Sequence, residues 1–410
     1  MLNDRRSFLR TIAFGAGTAG IAPSAQPRLI QSINRSIIWH GRDKEYAWFH
    51  PRATSVPGEP NPTVLMTLQR IYGSDGFGPV HWSASRDLGQ TWSTPTPIPG
   101  LGRKLNPDGI EEGVCDVVPE YHAKTRTILA MGHNVYYKDN KLTRPSEQRW
   151  PVYVVRDAKG EWTSPRKLEW DNPEASAMYT AGCAQRVTLP NGDILVPLSF
   201  GPLGRMDRSV CSVLCSFDGR ELKIKQAGNT LRLAVKRGLL EPSLAQFQGR
   251  YFMTIRAEDE RGYLATSADG LHWAEKKAWC WDDGEPLTLS TTQQRWLPHA
   301  DGLFLVYTRK MAENVNVMRW RVPLLVAQVD TKTLRLIRET EQVVFPLIGD
   351  GVSNPDGVAL MGNFHTTAVT PWESFVTVGE NLSKRGYQGD TLLARIQWAR
   401  RASRRQTKRG

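Results

Sequence analysis

The chain has 410 residues, of which 40% are hydrophobic and 23% charged, which excludes a protein too small or too polar to bury a core. Its 14 tryptophans and 35 glycines favour many short strands joined by tight turns over a helical protein. The net charge is +12, but six of the cations fall in the segment 399–410. Without that segment the chain is only mildly basic, so we expect no nucleic-acid partner.

The two ends of the chain differ from the rest. Residues 1–27 are typical of a twin-arginine export signal, because Arg5 and Arg6 precede Ser-Phe-Leu and a Gly/Ala-rich apolar stretch. The sequence therefore predicts a periplasmic or secreted protein. No other stretch has the ~18 apolar residues of a membrane span, so we expect none. The basic segment 399–410 is interpreted as a solvated, disordered tail.

Between these ends one pattern recurs six times: two strands joined by a turn, a loop, a third strand, an Asp-containing turn and a fourth strand. The units begin near residues 49, 113, 182, 241, 291 and 363. Units of roughly fifty to sixty residues, each forming a four-stranded antiparallel sheet, are typical of a β-propeller, in which radial closure protects the sheet edges. The sequence therefore predicts an all-β fold, a six-bladed β-propeller over residues 36–398.

Two of the predicted turns are similar in sequence. SRDLGQTW spans residues 85–92, and TSADGLHW spans residues 266–273. In each turn the Asp carboxylate can accept hydrogen bonds from nearby backbone N–H groups, Gly can adopt a positive φ, and Trp can fill the layer beneath. Because the turns use these carboxylates, we expect Asp87 and Asp269 to stabilise the scaffold rather than to take part in catalysis.

Together with FHPR at 49–52 and LLEPSLAQFQGRYFMTIR at 239–256, these turns resemble the sialidase superfamily of six-bladed propellers. Asp-containing turns occur in many secreted propellers, whereas the Glu-Pro-Ser strand that leads to an arginine is the more specific match. The resemblance extends over residues 40–398. It implies a secreted enzyme that removes an acidic sugar from a glycan.

Several polar residues are expected around the central axis on one face, where inner strands begin and second strands end. The candidates for binding the substrate are Arg52, Arg186, Arg256, Gln293 and Arg309. Guanidinium groups repel one another and resist desolvation, so an anionic ligand such as a sugar carboxylate would explain their convergence. A structural salt bridge is the alternative for each arginine.

The resemblance implies further roles for individual residues. Arg52 and Arg256 match two arginines of the carboxylate-binding triad of sialidases. Glu241 matches the glutamate that polarises a tyrosine nucleophile, and Asp75 matches the aspartate that protonates the leaving oxygen. The sequence departs from this pattern at the sixth inner strand, because Phe364 occupies the place of the nucleophilic tyrosine.

Histidines and tyrosines expected near the same face suggest a second chemistry. These candidates are His133, Tyr136, Tyr179 and His365. In a polysaccharide lyase, arginine neutralises a uronate carboxylate and a His or Tyr removes the C5 proton. A hydrogen-bonded structural histidine is the alternative. We expect no metal and no cofactor, because no His, Asp or Glu cluster has the spacing of metal ligands.

Three functions follow from these observations. The first is a sialidase-type hydrolase acting on a terminal acidic sugar, the second is a lyase acting on a uronate-containing polysaccharide, and the third is a non-catalytic propeller that binds glycans. An acidic glycan is the partner in all three. The titratable side chains exceed what recognition of a carboxylate requires, which favours an enzyme. The hydrolase is the first prediction.

Overall fold

The structure is a computed structural model that describes residues 28–143 and 148–399. The predicted export signal and the predicted tail from residue 400 lie outside these residues. In the described part of the chain we find 28 β-strands and no α-helix. Six short 3-10 turns complete the regular structure, at Pro173–Ala175, Ala312–Asn314, Met318–Trp320, Arg338–Thr340, Pro355–Gly357 and Ser383–Arg385. No helix in these ranges is long and apolar enough to cross a membrane.

Six antiparallel sheets form the blades of a β-propeller, which confirms the predicted fold class. Blade 1 contains β2 (Ala47–Val56), β3 (Thr63–Gly73), β4 (Gly76–Ser85) and β5 (Thr96–Pro97). Blade 2 contains β6 (Lys104–Leu105), β7 (Glu111–His122), β8 (Thr127–Lys138), β9 (Lys141–Thr143), β10 (Pro151–Arg156) and β11 (Arg166–Lys167). Blade 3 contains β12 (Met178–Thr180), β13 (Val187–Thr188), β14 (Ile194–Gly201), β15 (Ser209–Phe217) and β16 (Leu222–Ala227).

The second half of the chain repeats this arrangement. Blade 4 contains β17 (Leu240–Phe247), β18 (Arg250–Arg256), β19 (Gly262–Ser267) and β20 (Lys277–Ala278). Blade 5 contains β21 (Arg295–His299), β22 (Gly302–Tyr307), β23 (Leu324–Asp330), β24 (Arg335–Leu336) and β25 (Gln342–Phe345). Blade 6 contains β26 (Phe364–Thr370), β27 (Glu373–Gly379), β28 (Thr391–Trp398) and β1 (Ile30–Trp39).

Blade 6 joins the two ends of the described chain. Its outermost strand is β1, which pairs antiparallel with β28, so the first strand of the chain completes the last blade and covers its edge. The backbone N–H of Ala399 continues this contact by donating to the carbonyl of Leu29 at 2.8 Å. Because β1 begins at Ile30, the propeller starts before the boundary at residue 36 that the sequence suggested.

Apolar side chains pack between neighbouring blades. Phe304 and Val326 of blade 5 pack with Trp398 of blade 6. Between blades 4 and 5, the rings of Trp279 and Trp296 meet edge to face with their centroids 6.0 Å apart, a favoured aromatic geometry. This arrangement follows from the alternation of side chains along each strand, which places apolar residues on both faces of a blade. The polar residues at the starts of the inner strands are left to face the axis.

The Asp-containing turns lie between the third and fourth strands of blades 1 and 4. Asp87 accepts hydrogen bonds from the backbone N–H and the hydroxyl of Thr91, and the Thr91 hydroxyl is the main cause that lowers the pKa of Asp87 to about 2. Asp269 accepts hydrogen bonds from the N–H groups of Leu271 and His272 at 2.9 and 2.8 Å. Both carboxylates are therefore used by their own turns.

We expect Asp269→Ala to lower the free energy of unfolding by about 1–2 kcal/mol, because two backbone donors lose their acceptor. Urea denaturation measures this change. The matched control is Asp43→Ala, since Asp43 is exposed and its nearest cation, Lys44, lies 3.9 Å away. An unchanged free energy of unfolding in the Asp269 variant would show that the turn forms equally well without this carboxylate.

Candidate active site

Three inner strands carry a β-bulge near their first residues. The pairing register shifts between Phe49 and Arg52 in blade 1, between Cys115 and Val118 in blade 2, and between Leu240 and Ser243 in blade 4. The bulged residues with left-handed backbone are His50, Asp116 and Glu241, with φ of 53°, 58° and 44°. Such values are uncommon for residues other than glycine, and residues held in them at active sites help to position side chains. Bulges also redirect side chains, and here they mark one face of the propeller.

A cavity of about 300 Å³ opens at this face and is lined by blades 1 to 4. Its charged and polar wall includes Asp75, Asp116, His133, Tyr136, Arg149, Arg208, Arg237 and Glu241. Its apolar wall includes Phe77, Leu142, Met178, Leu203 and Met206. Pockets that combine an apolar wall with a few convergent polar groups are typical of small-molecule sites.

Arg52 and Asp116 form a buried ion pair beside the cavity. A guanidinium N–H of Arg52 donates to Oδ1 of Asp116, and Nε2 of His50 lies 3.6 Å from the same oxygen. Arg52 is completely buried. Burial alone would raise the pKa of Asp116, but His50 and Arg52 outweigh burial and hold this pKa well below its usual range. Asp116 is therefore an anion that keeps Arg52 in place.

Glu241 and Arg256 form a second ion pair at the same cavity. Nη1 of Arg256 donates to Oε1 of Glu241 at 2.6 Å, and its Nε donates to the hydroxyl of Thr291 at 3.2 Å. Burial would raise the pKa of Glu241, but the charge and hydrogen bond of Arg256 lower it overall. Arg256 therefore holds the carboxylate of Glu241 in its ionised form at this cavity.

Further arginines, none of them predicted from the sequence, line the cavity or lie within electrostatic reach of its acids. Arg237 lines the cavity and pairs with Glu258. Arg321 forms no ion pair with the acids that the structure describes, and burial, followed by the charges of Arg256 and Arg319, lowers its pKa to about 10. The same causes, burial first and then the charge of Arg256, lower the pKa of Arg319. This excess of positive charge would be relieved by an anionic ligand.

His133 and Tyr136 lie on the blade 2 wall of the cavity. Burial and then the charge of Arg149 lower the pKa of His133 to about 3, so its imidazole is neutral at pH 7. Nε2 of His133 lies 3.4 Å from Sγ of Cys115. A Cβ at Gly182 would lie 1.9 Å from Nδ1 of His133, so only glycine leaves room for this ring. The hydroxyl of Tyr136 accepts a hydrogen bond from Asn134 at 3.0 Å.

Of the residues predicted for the site, six lie at this cavity or pair with an acid in its wall, namely Arg52, Asp75, His133, Tyr136, Glu241 and Arg256. The other five lie elsewhere. Arg309 binds both carboxylate oxygens of Glu341 at 2.9 and 2.7 Å and lines a separate pocket of blade 5. Tyr179 is buried between blades 2 and 3, where its hydroxyl donates to the carbonyl of Leu168.

The remaining three predicted residues also lie away from the cavity. Arg186 and His365 line a second cavity of about 420 Å³, formed by the opposite ends of the inner strands, and Arg186 pairs there with Glu120 at 3.2 Å. Gln293 is buried and donates to the carbonyl of Phe364 at 2.6 Å. Phe364 is itself fully buried in the apolar cluster between blades 5 and 6.

No protein-family model and no curated protein matches this chain. A solved structure of a protein of unknown function from Dyadobacter fermentans is 14% identical with a TM-score of 0.64, and the match covers 90% of this chain and 100% of that one. The Trypanosoma rangeli sialidase is also 14% identical with a TM-score of 0.64, and the match covers 90% of this chain but only 60% of the enzyme. The Hadza microbial sialidase Hz136 is 15% identical with a TM-score of 0.59, over 86% of this chain and 66% of that one. At these identities the likeness shows the fold, a sialidase-type propeller.

The buried histidines predict a loss of stability in mild acid. His50 and His133 have pKa values lowered to about 4 and about 3, and the pKa of His365 is also well below its usual value, in each case mainly because of burial. An unfolded chain binds protons at these histidines near pH 6.5, whereas the folded protein does not. The stabilisation is thus complete above pH 6.5 and is lost as the pH falls toward 4.

Urea denaturation at pH 7.5 and pH 5.0 tests this prediction. We expect the free energy of unfolding to fall by about 2 kcal/mol for each histidine that stays neutral in the folded state. Carboxylates in the unfolded chain titrate near pH 4, so this pH range reports chiefly on the histidines. His50→Gln should show a smaller fall. Equal stability at the two pH values would show that the three imidazoles are already solvated in the folded protein.

Proposed function

We propose that the protein is a secreted or periplasmic carbohydrate-active enzyme of sialidase type, which hydrolyses a terminal acidic sugar from a glycan. The observation that carries this proposal is the gathering of Arg237, Arg256 and Arg321 near one cavity that also contains the carboxylates of Asp75 and Glu241. The guanidinium groups would bind the sugar carboxylate, and the carboxylates would supply acid and base. The Trypanosoma rangeli sialidase, a protein of similar fold, has been solved with sialic acid bound.

The proposed reaction uses Asp75 and Glu241 on opposite sides of the glycosidic bond. Asp75 acts as the general acid and gives a proton to the leaving oxygen as the bond from that oxygen to the anomeric carbon breaks. Phe364 has no nucleophilic atom, so we assign the attack on the anomeric carbon to water. Glu241 takes the proton of this water as the new carbon–oxygen bond forms. A single displacement of this kind inverts the configuration of the sugar.

A lyase is the second candidate, because the neutral imidazole of His133 and the hydroxyl of Tyr136 line the same cavity as the cations. In this scheme an arginine neutralises the carboxylate of a uronate and so acidifies its C5 proton. His133 removes that proton, the bond to the neighbouring sugar breaks, and Tyr136 protonates the departing oxygen. The product is an unsaturated uronate.

The chemistry of the products separates these candidates. The purified protein is incubated with a panel of sialosides and uronate polysaccharides, and both near-ultraviolet absorbance and new reducing ends are followed. Free acidic sugar without absorbance, of inverted configuration by NMR and abolished in Asp75→Asn, supports the hydrolase. Absorbance that is abolished in His133→Gln overturns the hydrolase in favour of the lyase. Binding of a glycan without any product would overturn both in favour of a non-catalytic propeller.

A further inference from the structure

Three potential ligand atoms converge on the blade 2 wall of the cavity. They are Sγ of Cys115, a carboxylate oxygen of Asp116 and Nε2 of His133, and all lie within 4.8 Å of one another. We propose that these three residues form a binding site for a divalent transition-metal ion of the zinc type. Residue spacing along the sequence predicted no metal site. The three ligand atoms come together only in the folded structure.

The pairing of two neighbouring strands creates the cluster. Cys115 of β7 and His133 of β8 are direct cross-strand partners, so their side chains can project from the same face of the blade. The bulge at Asp116 then brings its Oδ2 to within 3.8 Å of Sγ of Cys115. A tetrahedral ion with bonds of about 2.3 Å to sulfur and about 2.0 Å to nitrogen would hold those two atoms roughly 3.5 Å apart. The observed separation between Sγ and Nε2 is 3.4 Å.

The chemistry of the three groups selects the kind of ion. Thiolate and imidazole ligands favour zinc over magnesium or calcium, which prefer oxygen. One thiolate and one carboxylate cancel the charge of a divalent ion, so the occupied site would present no net cation to the buried guanidinium of Arg52. Arg52 contacts Oδ1 of Asp116, whereas Oδ2 faces Cys115. Arg52 would thereby orient the carboxylate toward the ion, as outer hydrogen bonds do in known metal sites.

The position of the cluster in the cavity defines what the ion could do. All three residues line the cavity, and three protein ligands leave a fourth position of a tetrahedral ion for water or a ligand oxygen. An ion on Nε2 would also use the lone pair that the lyase scheme assigns to His133. The metal site therefore excludes His133 as a proton acceptor, and it does not depend on the proposed hydrolysis.

Metal titration of the whole protein tests this inference without a substrate. Protein freed of metal by a chelator is titrated with Zn²⁺ in competition with a chromophoric chelator, and with Co²⁺ for its spectrum. We expect one equivalent to bind and a thiolate-to-cobalt charge-transfer band to appear. Cys115→Ser should lose the band, and His133→Gln should weaken binding at least about a hundredfold. The matched control, Cys280→Ser, should behave like the unaltered protein, because Cys280 is not part of the cluster.

Two results would overturn the metal site. One is folded, unaltered protein that binds neither Zn²⁺ nor Co²⁺ at micromolar concentrations, a range well above the dissociation constants of most protein zinc sites. The other is a charge-transfer band that persists in Cys115→Ser. Circular dichroism confirms that each variant is folded, and Cys115→Ala replaces Cys115→Ser if the latter does not fold. Hydrolysis that is unaffected by bound or removed metal would leave the site intact but separate it from catalysis.

Discussion

Replacing Arg256 with alanine is expected to lower kcat/KM for an acidic glycan about a hundredfold or more. Truncating one partner of a buried, hydrogen-bonded charge pair costs about 2–5 kcal/mol, and 1.4 kcal/mol corresponds to a factor of ten. Arg256 is 6% exposed and bonds to Glu241 at 2.6 Å. Its removal would take away a contact to the sugar carboxylate and would leave Glu241 without its counterion, which raises the pKa of the proposed base.

Steady-state kinetics of Arg256→Ala beside Arg309→Ala provides the measurement and its control. Arg256 ends the second strand of blade 4, and Arg309 follows the second strand of blade 5. Each of them pairs with a glutamate. Arg309 and Glu341, however, lie apart from the cavity. The Arg309 variant should therefore keep its activity on the glycan. An equal loss of activity in the two variants, or a loss in Arg309→Ala alone, would show that the substrate does not bind at the cavity beside Arg256.

The second large effect is expected on stability, from Arg52→Met. This change leaves the carboxylate of Asp116 without its main cation, and breaking a buried pair in this way costs about 3–5 kcal/mol. Since 21% of the Asp116 side chain is exposed, we expect a value near the lower end, about 3 kcal/mol. The midpoint and slope of urea denaturation measure it.

A double-mutant cycle separates the charge pair from simple packing. Arg52→Met combined with Asp116→Leu removes both charges, and buried ion pairs replaced by apolar groups are often close to neutral in stability. The double variant should therefore recover a large part of the loss. Additive losses from the two single changes would show that Arg52 and Asp116 stabilise the fold independently.

The fold could be predicted because its signals are local. Six repeats of apolar strands, with Asp-containing turns between the third and fourth strands, specify blades whatever the detailed contacts are. The carboxylates of Asp87 and Asp269 use hydrogen bonds within their own turns, so short stretches of sequence were sufficient. The closing strand β1 was not assigned, because its partner β28 lies at the other end of the chain and no local pattern connects them.

The structure brings six of the predicted site residues to one cavity or to an acid in its wall and places the other five elsewhere, for physical reasons. Arg52 and Glu241 were placed from their positions at the starts of inner strands. The left-handed backbone at His50, Asp116 and Glu241 was not foreseen, because it is uncommon outside glycine and arises here from β-bulges that no local sequence pattern indicates. Arg321 was not among the predicted residues because it lies in the irregular segment between β22 and β23. In such a segment, residue spacing does not predict which way a side chain points.

Strand pairing determines where the side chains of Tyr179, Cys115 and His133 lie. Tyr179 lies in the short strand β12, whose alternation turns the ring into the core between blades 2 and 3. Cys115 and His133 are 18 positions apart in sequence and no second Cys or His stands at the short spacing of a ligand motif beside either, yet the register of β7 and β8 makes them neighbours. A search for ligands across predicted hairpins, rather than along the chain, would have found this pair.

We propose that the arginines around this cavity bind a sugar carboxylate. Calorimetric titration with N-acetylneuraminic acid and glucuronic acid, each beside its methyl ester, tests it most directly, since the ester removes only the negative charge. We predict that at least one acid binds and that its ester binds at least tenfold more weakly, a difference of about 1.4 kcal/mol. Equal binding of acid and ester, or binding of the acid that is unchanged in Arg256→Ala, would show that these arginines do not bind the sugar carboxylate.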